Sequence, residues 1–208
     1  MKKPTGKLAV TAGATVSAFV LAVSPASAVA STTWTVTPSP VAFSSASGTN
    51  LTLGLNGFSV VCGQPGISGT LESATGNPAA IGNVTALVFG TSCASPLGNA
   101  TVAPALPWSI VALDHTATTG VTKGHFGNVD LKTTVGACSF RTTGKASLTY
   151  TNSTGRLAAN SVAGELTVVS AVNCGAVVPV GSKPTLKFEH SIRKTGTTTV
   201  PTIVGTNP

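Results

Sequence analysis

Between Leu186 and Arg193 apolar and polar side chains alternate without a break. Leu186, Phe188, His190 and Ile192 fall on one side, and Lys187, Glu189, Ser191 and Arg193 on the other. Successive side chains of a strand point to opposite faces, so the pattern predicts a strand over 185–194 with one face in a core and one in water. Before Cys138, Val129, Leu131 and Val135 alternate with Asn128, Asp130, Lys132 and Thr134 in the same way, the one-sided burial of an antiparallel sheet. Similar short segments at 51–55, 58–62, 67–72, 84–89, 108–113, 126–135, 145–151 and 164–173 are separated by turn residues. That spacing is typical of a sandwich or barrel. Val60-Val61, Leu87-Val88-Phe89 and Val168-Val169 are apolar on both faces, which predicts centrally placed strands. No segment keeps a helical period over three turns. The predicted fold is all-β: an antiparallel β-sandwich or barrel-like fold.

The two ends carry weaker patterns. Residues 31–50 are rich in Ser, Thr and Pro, and the strand-like Trp34-Thr35-Val36-Thr37 is followed by Pro38 and Pro40, which cannot donate to a ladder. An extended arm or edge strand is expected there. A single β domain is expected over 51–194 and a flexible tail over 195–208.

Composition agrees with the pattern. Of 208 residues, 33 are threonine, 25 valine and 23 glycine, one is methionine, and 8% are charged, against a usual charged share of roughly a quarter. This excludes a coiled coil, a charge-laced bundle and a disordered charged tail. Lys2, Lys3 and Lys7, an uncharged run from Leu8 to Val23 and the small residues Ser24-Pro25-Ala26-Ser27-Ala28 form a secretory signal peptide over 1–28. Cleavage is expected after Ala28, with a second site at Ala30. Loss of the three signal lysines leaves nine basic residues against five acidic ones, scattered without a run or interleaved aromatics, whereas nucleic-acid binding wants a clustered basic stripe. Nucleic acid is therefore not expected as a partner, and no second apolar stretch would hold the mature chain in a bilayer.

Cys62, Cys93, Cys138 and Cys174 all follow the signal, and an even number in an exported chain points to a disulfide framework. Structural zinc sites carry close Cys pairs, which are missing here, so no metal is expected. Both intervals, 62–93 and 138–174, run in the order Cys, turn, strand, Asn-containing loop, strand, Cys. The likeness of the two halves predicts the pairs Cys62–Cys93 and Cys138–Cys174.

Chemistry is sparse. The Gly-x-Ser-x-Gly elbow is absent, no Gly-rich phosphate motif stands between a strand and a helix, and the five carboxylates lie on separate segments. Asp114, His115 and His125 flank one Thr/Gly-rich turn and are the only cluster that merits a catalytic test; a solvated hairpin tip is the simpler expectation. His190 has apolar neighbours on its face and is expected as a core or edge histidine. Trp34 and Trp108 are candidates for surface recognition of a sugar or protein, although a lone Trp entering a strand is more often core. No cofactor is expected.

The Ala-rich signal, the low-charge Thr/Gly/Val chain and the four spaced cysteines around Leu106-Pro107-Trp108 resemble small exported four-cysteine β-rich proteins of actinobacteria, whose members have no assigned function. The chain is also similar to the small chromoprotein apoproteins such as neocarzinostatin in being exported, low in charge and twice bridged. It is longer, however, and its bridged intervals are wider, so no ligand carries over. The resulting expectation is a secreted, non-enzymatic structural or protein-binding component of the extracellular space or cell envelope. Its arm over 31–50 would add a strand to a neighbour or to another copy. A carbohydrate or cell-wall-binding module is the alternative, and a secreted hydrolase a third.

Overall fold

The computed structural model describes residues 32–206 except 56 and 90–92; the signal peptide expected over 1–28 lies outside the described residues. Sixteen strands follow in chain order and no helix occurs among the described residues: β1 (Thr33–Thr37), β2 (Val41–Gly48), β3 (Leu51–Leu55), β4 (Phe58–Cys62), β5 (Gly66–Leu71), β6 (Ala74–Thr75), β7 (Ala79–Val88), β8 (Cys93–Ser95), β9 (Gly98–Pro104), β10 (Trp108–Thr116), β11 (Val121–Val135), β12 (Cys138–Thr151), β13 (Arg156–Asn160), β14 (Leu166–Val172), β15 (Thr185–Lys194) and β16 (Thr202–Thr206). The fold is all-β with antiparallel sheets, as the alternation predicts.

The pairings close on themselves. Going round β10, β11, β12, β13, β15, β2, β5 and β7 returns to β10 through antiparallel ladders at every step. A second circuit shares β11, β12, β13 and β15 and is completed by β3, β4, β8 and β9. This is possible because β11 and β12 are long: the N-terminal half of β11 pairs with β10 and its C-terminal half with β9. Their hairpin turns on Gly136 and Ala137, with Gly136 at φ 56°, a conformation a side chain disfavours and glycine takes freely. Phe126, Leu131, Phe140, Leu148, Leu186 and Ile192 all point into one continuous core.

β1, β2 and β16 belong to this body, which corrects the expectation of an extended arm or edge strand over 31–50 and of a flexible tail over 195–208. β2 lies between β15 and β5 in the first circuit, and β1 pairs along its length with β16. The reason is burial: Trp34, Val36, Val41, Phe43 and Ile203 are all buried, and each large apolar side chain removed from water contributes roughly 1.5–3 kcal/mol. Pro38 and Pro40 fall between β1 and β2, where no ladder needs their missing N–H. Asn152 closes the other edge of β16, its side-chain oxygen accepting from the Ile203 amide at 2.8 Å and its amide donating to the Ile203 carbonyl at 2.9 Å. Tyr150 donates to the Pro201 carbonyl at 2.6 Å.

The doubly apolar segments divide. β4 and β7 lie between two partners each, as expected, although Val88 at the end of β7 is 62% exposed; β14 pairs in the sheet only with β12, so it is an edge strand, and its Val169 is 46% exposed.

Candidate functional site

The predicted disulfides form as paired. Cys62–Cys93 joins β4 to β8 and Cys138–Cys174 joins the start of β12 to the residue following β14 by two. The first sits beside a thin part of the sheet, where β4 and β8 share a single bridge pair, Val61 with Ala94; the second closes the end of the β12–β14 ladder beside Ser139 and Val172.

Neither candidate tryptophan offers a recognition surface. Trp34 and Trp108 are both fully buried, and their indole N–H groups donate to the carbonyls of Gly76 at 2.9 Å and Ala105 at 3.0 Å. A buried indole with its polar handle satisfied is core, because the large ring area favours burial once the N–H has a partner.

The Asp114, His115 and His125 cluster does not assemble either. Register places Asp114 opposite Lys123, His115 opposite Thr122 and His125 opposite Val111, with a bulge between Ala112 and Asp114. Directly paired residues share a face, so His115 lies on the inner face with buried Thr122, whose Oγ1 is 3.0 Å from its Nδ1. His125 lies outside. Burial lowers the His125 pKa and the nearby Lys145 charge lowers it further, against the opposing pull of Glu165. Among the described residues no group of three His, Cys, Asp or Glu side chains is placed to hold a metal ion.

Register also creates a neighbourhood that sequence order hides. His125 is the direct cross-strand partner of Ser147. The Ser147 hydroxyl donates to Glu165 Oε1 at 2.6 Å and its amide to Glu165 Oε2 at 2.9 Å, and the Val162 amide donates to the same Oε2 at 3.1 Å. Burial would raise the Glu165 pKa, but these three donors and the Lys145 charge outweigh it and hold the carboxylate ionised below its ordinary range. The Ser147 hydroxyl therefore donates to a carboxylate whose lowered pKa makes it a weak base, which activates a nucleophile poorly. Glu165 here ties the 162–165 turn to β12.

Beside this cluster lies a groove of about 580 Å³ on the outer face of β12, β13 and β15, walled on one side by the β2–β3 connection. That volume lies within the range of small-ligand sites. Its floor is low because Ala158 is the outward residue at the middle of β13. Thr52, Lys187 and Asn160 stand in one row across β3, β15 and β13 by register. Among the described residues, the side chains of Asn50, Thr52, Thr149, Asn160 and Lys187 make no hydrogen bond or ion pair within the protein. Arg156 and Glu189 pair with each other across the same surface, and the Glu189 backbone holds the far wall through Thr49, whose Oγ1 accepts from the Glu189 amide at 3.0 Å and whose amide donates to the Glu189 carbonyl at 2.7 Å. Sequence analysis misses this groove because β13, Arg-Leu-Ala-Ala-Asn, has no β-branched residue to mark it as a strand.

His190 lies directly behind the wall. It is fully buried, neither ring nitrogen has a hydrogen-bond partner, and its ring stands 5.6 Å from that of Phe188. A Cβ on Gly48 would overlap the imidazole, so glycine is required where β2 crosses it. Burial lowers the His190 pKa; the Ser47 backbone and the Glu189 carboxylate act in the other direction and are outweighed. The Ser47 group is close enough to favour the charged ring without hydrogen-bond geometry. In the unfolded chain the ring takes a proton near pH 6.5, and in the folded chain only at lower pH. Between those values the unfolded state binds more protons, so stability is complete above pH 6.5 and falls as the pH drops through the window below it. Urea unfolding of the wild type and of His190→Leu at pH 7.5 and 5 tests this: the wild type is expected to lose stability on acidification, and the variant to lose less.

Comparison with known proteins finds no matching protein family, no similar curated protein and no similar solved structure.

Proposed function

We propose that the protein is an exported, non-enzymatic binding module of the extracellular space or cell envelope, and that its ligand is a cell-wall glycan held in the groove over Ala158. The supporting observation is the set of short amide and hydroxyl side chains around the groove, Asn50, Thr52, Thr149 and Asn160, that make no bond within the protein. Such groups on a rigid scaffold suit the hydroxyls of a sugar chain, because binding does not have to break internal bonds first. The scaffold is rigid for a stated reason: β12, β13 and β15 take part in both closed circuits. The two disulfides are consistent with an oxidising compartment, and no helix of the described residues is long and apolar enough to cross a membrane.

Strand donation by residues 31–50 receives no support, since β1 and β2 have their partners within this chain. A hydrolase would need an activated nucleophile or a paired acid and base, and the outer-face cluster of Ser147, Glu165 and His125 supplies neither arrangement.

A pull-down on insoluble cell-wall glycan tests the reading. The purified mature protein is expected to be retained. The Ala158→Arg variant, which fills the groove from its floor while leaving the buried face of β13 unchanged, is expected to bind about tenfold more weakly with the same thermal unfolding. Equal retention of the two proteins would move the site elsewhere.

A further inference from the structure

We propose that the groove selects an acidic glycan strand, one that bears carboxylates along a polyhydroxylated backbone. The proposal rests on the binding-module reading and adds the charge of the ligand.

The charge distribution around the groove favours an anion. Each carboxylate near the groove already has a partner. Glu189 is bonded to Arg156. Glu165 accepts from the Ser147 hydroxyl, the Ser147 amide and the Val162 amide. Lys187 lines the groove with no partner among the described residues. It stands between Thr52 and Asn160 in the cross-strand row, so an ammonium, a hydroxyl and an amide project side by side from three strands. A carboxylate meeting Lys187 there gains a charge-assisted hydrogen bond, and the flanking hydroxyl and amide can take the ring hydroxyls next to it. Farther out on the same face, Lys123 is the direct partner of Thr149 on one side and of Asp114 on the other, so Lys187 is the cation that sets the charge of the groove.

The same geometry disfavours a peptide. Peptides commonly bind by adding a strand to an open edge, and both edges of β13 at the groove floor are already paired, with β12 and β15. Apolar pockets for side chains are also lacking, because the outward residue on the floor is Ala158 and the large rings of β15 point inward. The volume, about 580 Å³, exceeds what a lone inorganic anion would need and suits a short run of sugar rings.

Two probes with one backbone separate the charge from the sugar. Cell-wall glycan strands stripped of their peptides carry a lactyl carboxylate on alternate N-acetylated sugars, whereas chitin oligosaccharides of equal length lack it. Calorimetric titration of the mature protein is expected to show the acidic strand binding about fivefold more tightly than chitin, the upper range for a partly exposed ion pair. The difference should shrink as salt is added. In Lys187→Gln the ratio of the two affinities is expected to fall to about one, and the exposed position of Lys187 leaves folding intact. Equal binding of the two probes by the wild type overturns the acidic preference and leaves the binding module standing. An acidic preference that survives in Lys187→Gln removes the assigned anchor. Binding of neither probe by the folded protein overturns both the acidic preference and the glycan reading on which it rests.

Discussion

Replacing Cys138 and Cys174 together by alanine is expected to lower the unfolding free energy by about 4 kcal/mol, through the entropy returned to an unfolded chain no longer closed over a long loop. The bridge spans 36 residues, and it ties the segment after β14, an edge strand of its sheet, to the start of β12. β14 pairs with β12 along one edge; across its other edge Val168 alone bonds, its amide donating to Ser182 and its carbonyl accepting from Gly181. Val169, Val172, Val177 and Val180 are exposed on β14 and the following segment. Without the bridge this edge opens first and presents valines and unpaired backbone to other molecules. Urea unfolding should show the loss in the midpoint, and the thermal midpoint should fall by roughly 8–16 °C for a domain of this size. Glycan retention well below the new midpoint should be unchanged, since the groove uses residues 147–149 at the far end of β12 from Cys138. A loss under 1 kcal/mol would mean that β14 is held by packing alone.

Trp108→Ala is expected to cost about 3–5 kcal/mol, the range for emptying a large aromatic site. Trp108 begins β10, stands opposite Val84 of β7 and packs its ring 6.3 Å from Phe126, which in turn lies 5.7 Å from Phe188. Removing it therefore opens a cavity against Phe126 of β11 and leaves the Ala105 carbonyl without its donor. The prediction separates two roles for this residue. A core role lowers stability and leaves glycan affinity intact in the fraction that remains folded; a recognition role would lower affinity at unchanged stability. Calorimetric titration at a temperature well below the midpoint, alongside a urea curve, distinguishes them.

Strands with strict alternation were legible from the residues alone. β15 shows every inward and outward position in its sequence, and the matched order of segments around the cysteines predicts both bridges correctly. What escaped the residues was long-range pairing. Thr-Ile-Val at 202–204 is good strand material, yet nothing local announces that β16 pairs with β1 at the opposite end of the chain. Valine pairs mark strand propensity but not which strand ends at an edge, so β14 with Val168-Val169 was placed too centrally, whereas β4 and β7 lie between two partners as expected. The histidines illustrate the same point at the scale of one residue, for the bulge after Ala112 turns His115 to the inner face, while regular alternation in β11 keeps His125 on the outer. The groove depended on register throughout: Thr52, Lys187 and Asn160 lie far apart in sequence and meet only because β3, β15 and β13 align as they do.

The most direct test of the central claim is a titration of the isotopically labelled mature protein with soluble cell-wall glycan fragments, followed by amide chemical-shift mapping. The account predicts shifts concentrated at residues 49–52, 147–149, 156–160 and 187–189, the segments that enclose the groove. Shifts centred on the valine-bearing edge of β14, or none at saturating ligand, would contradict it.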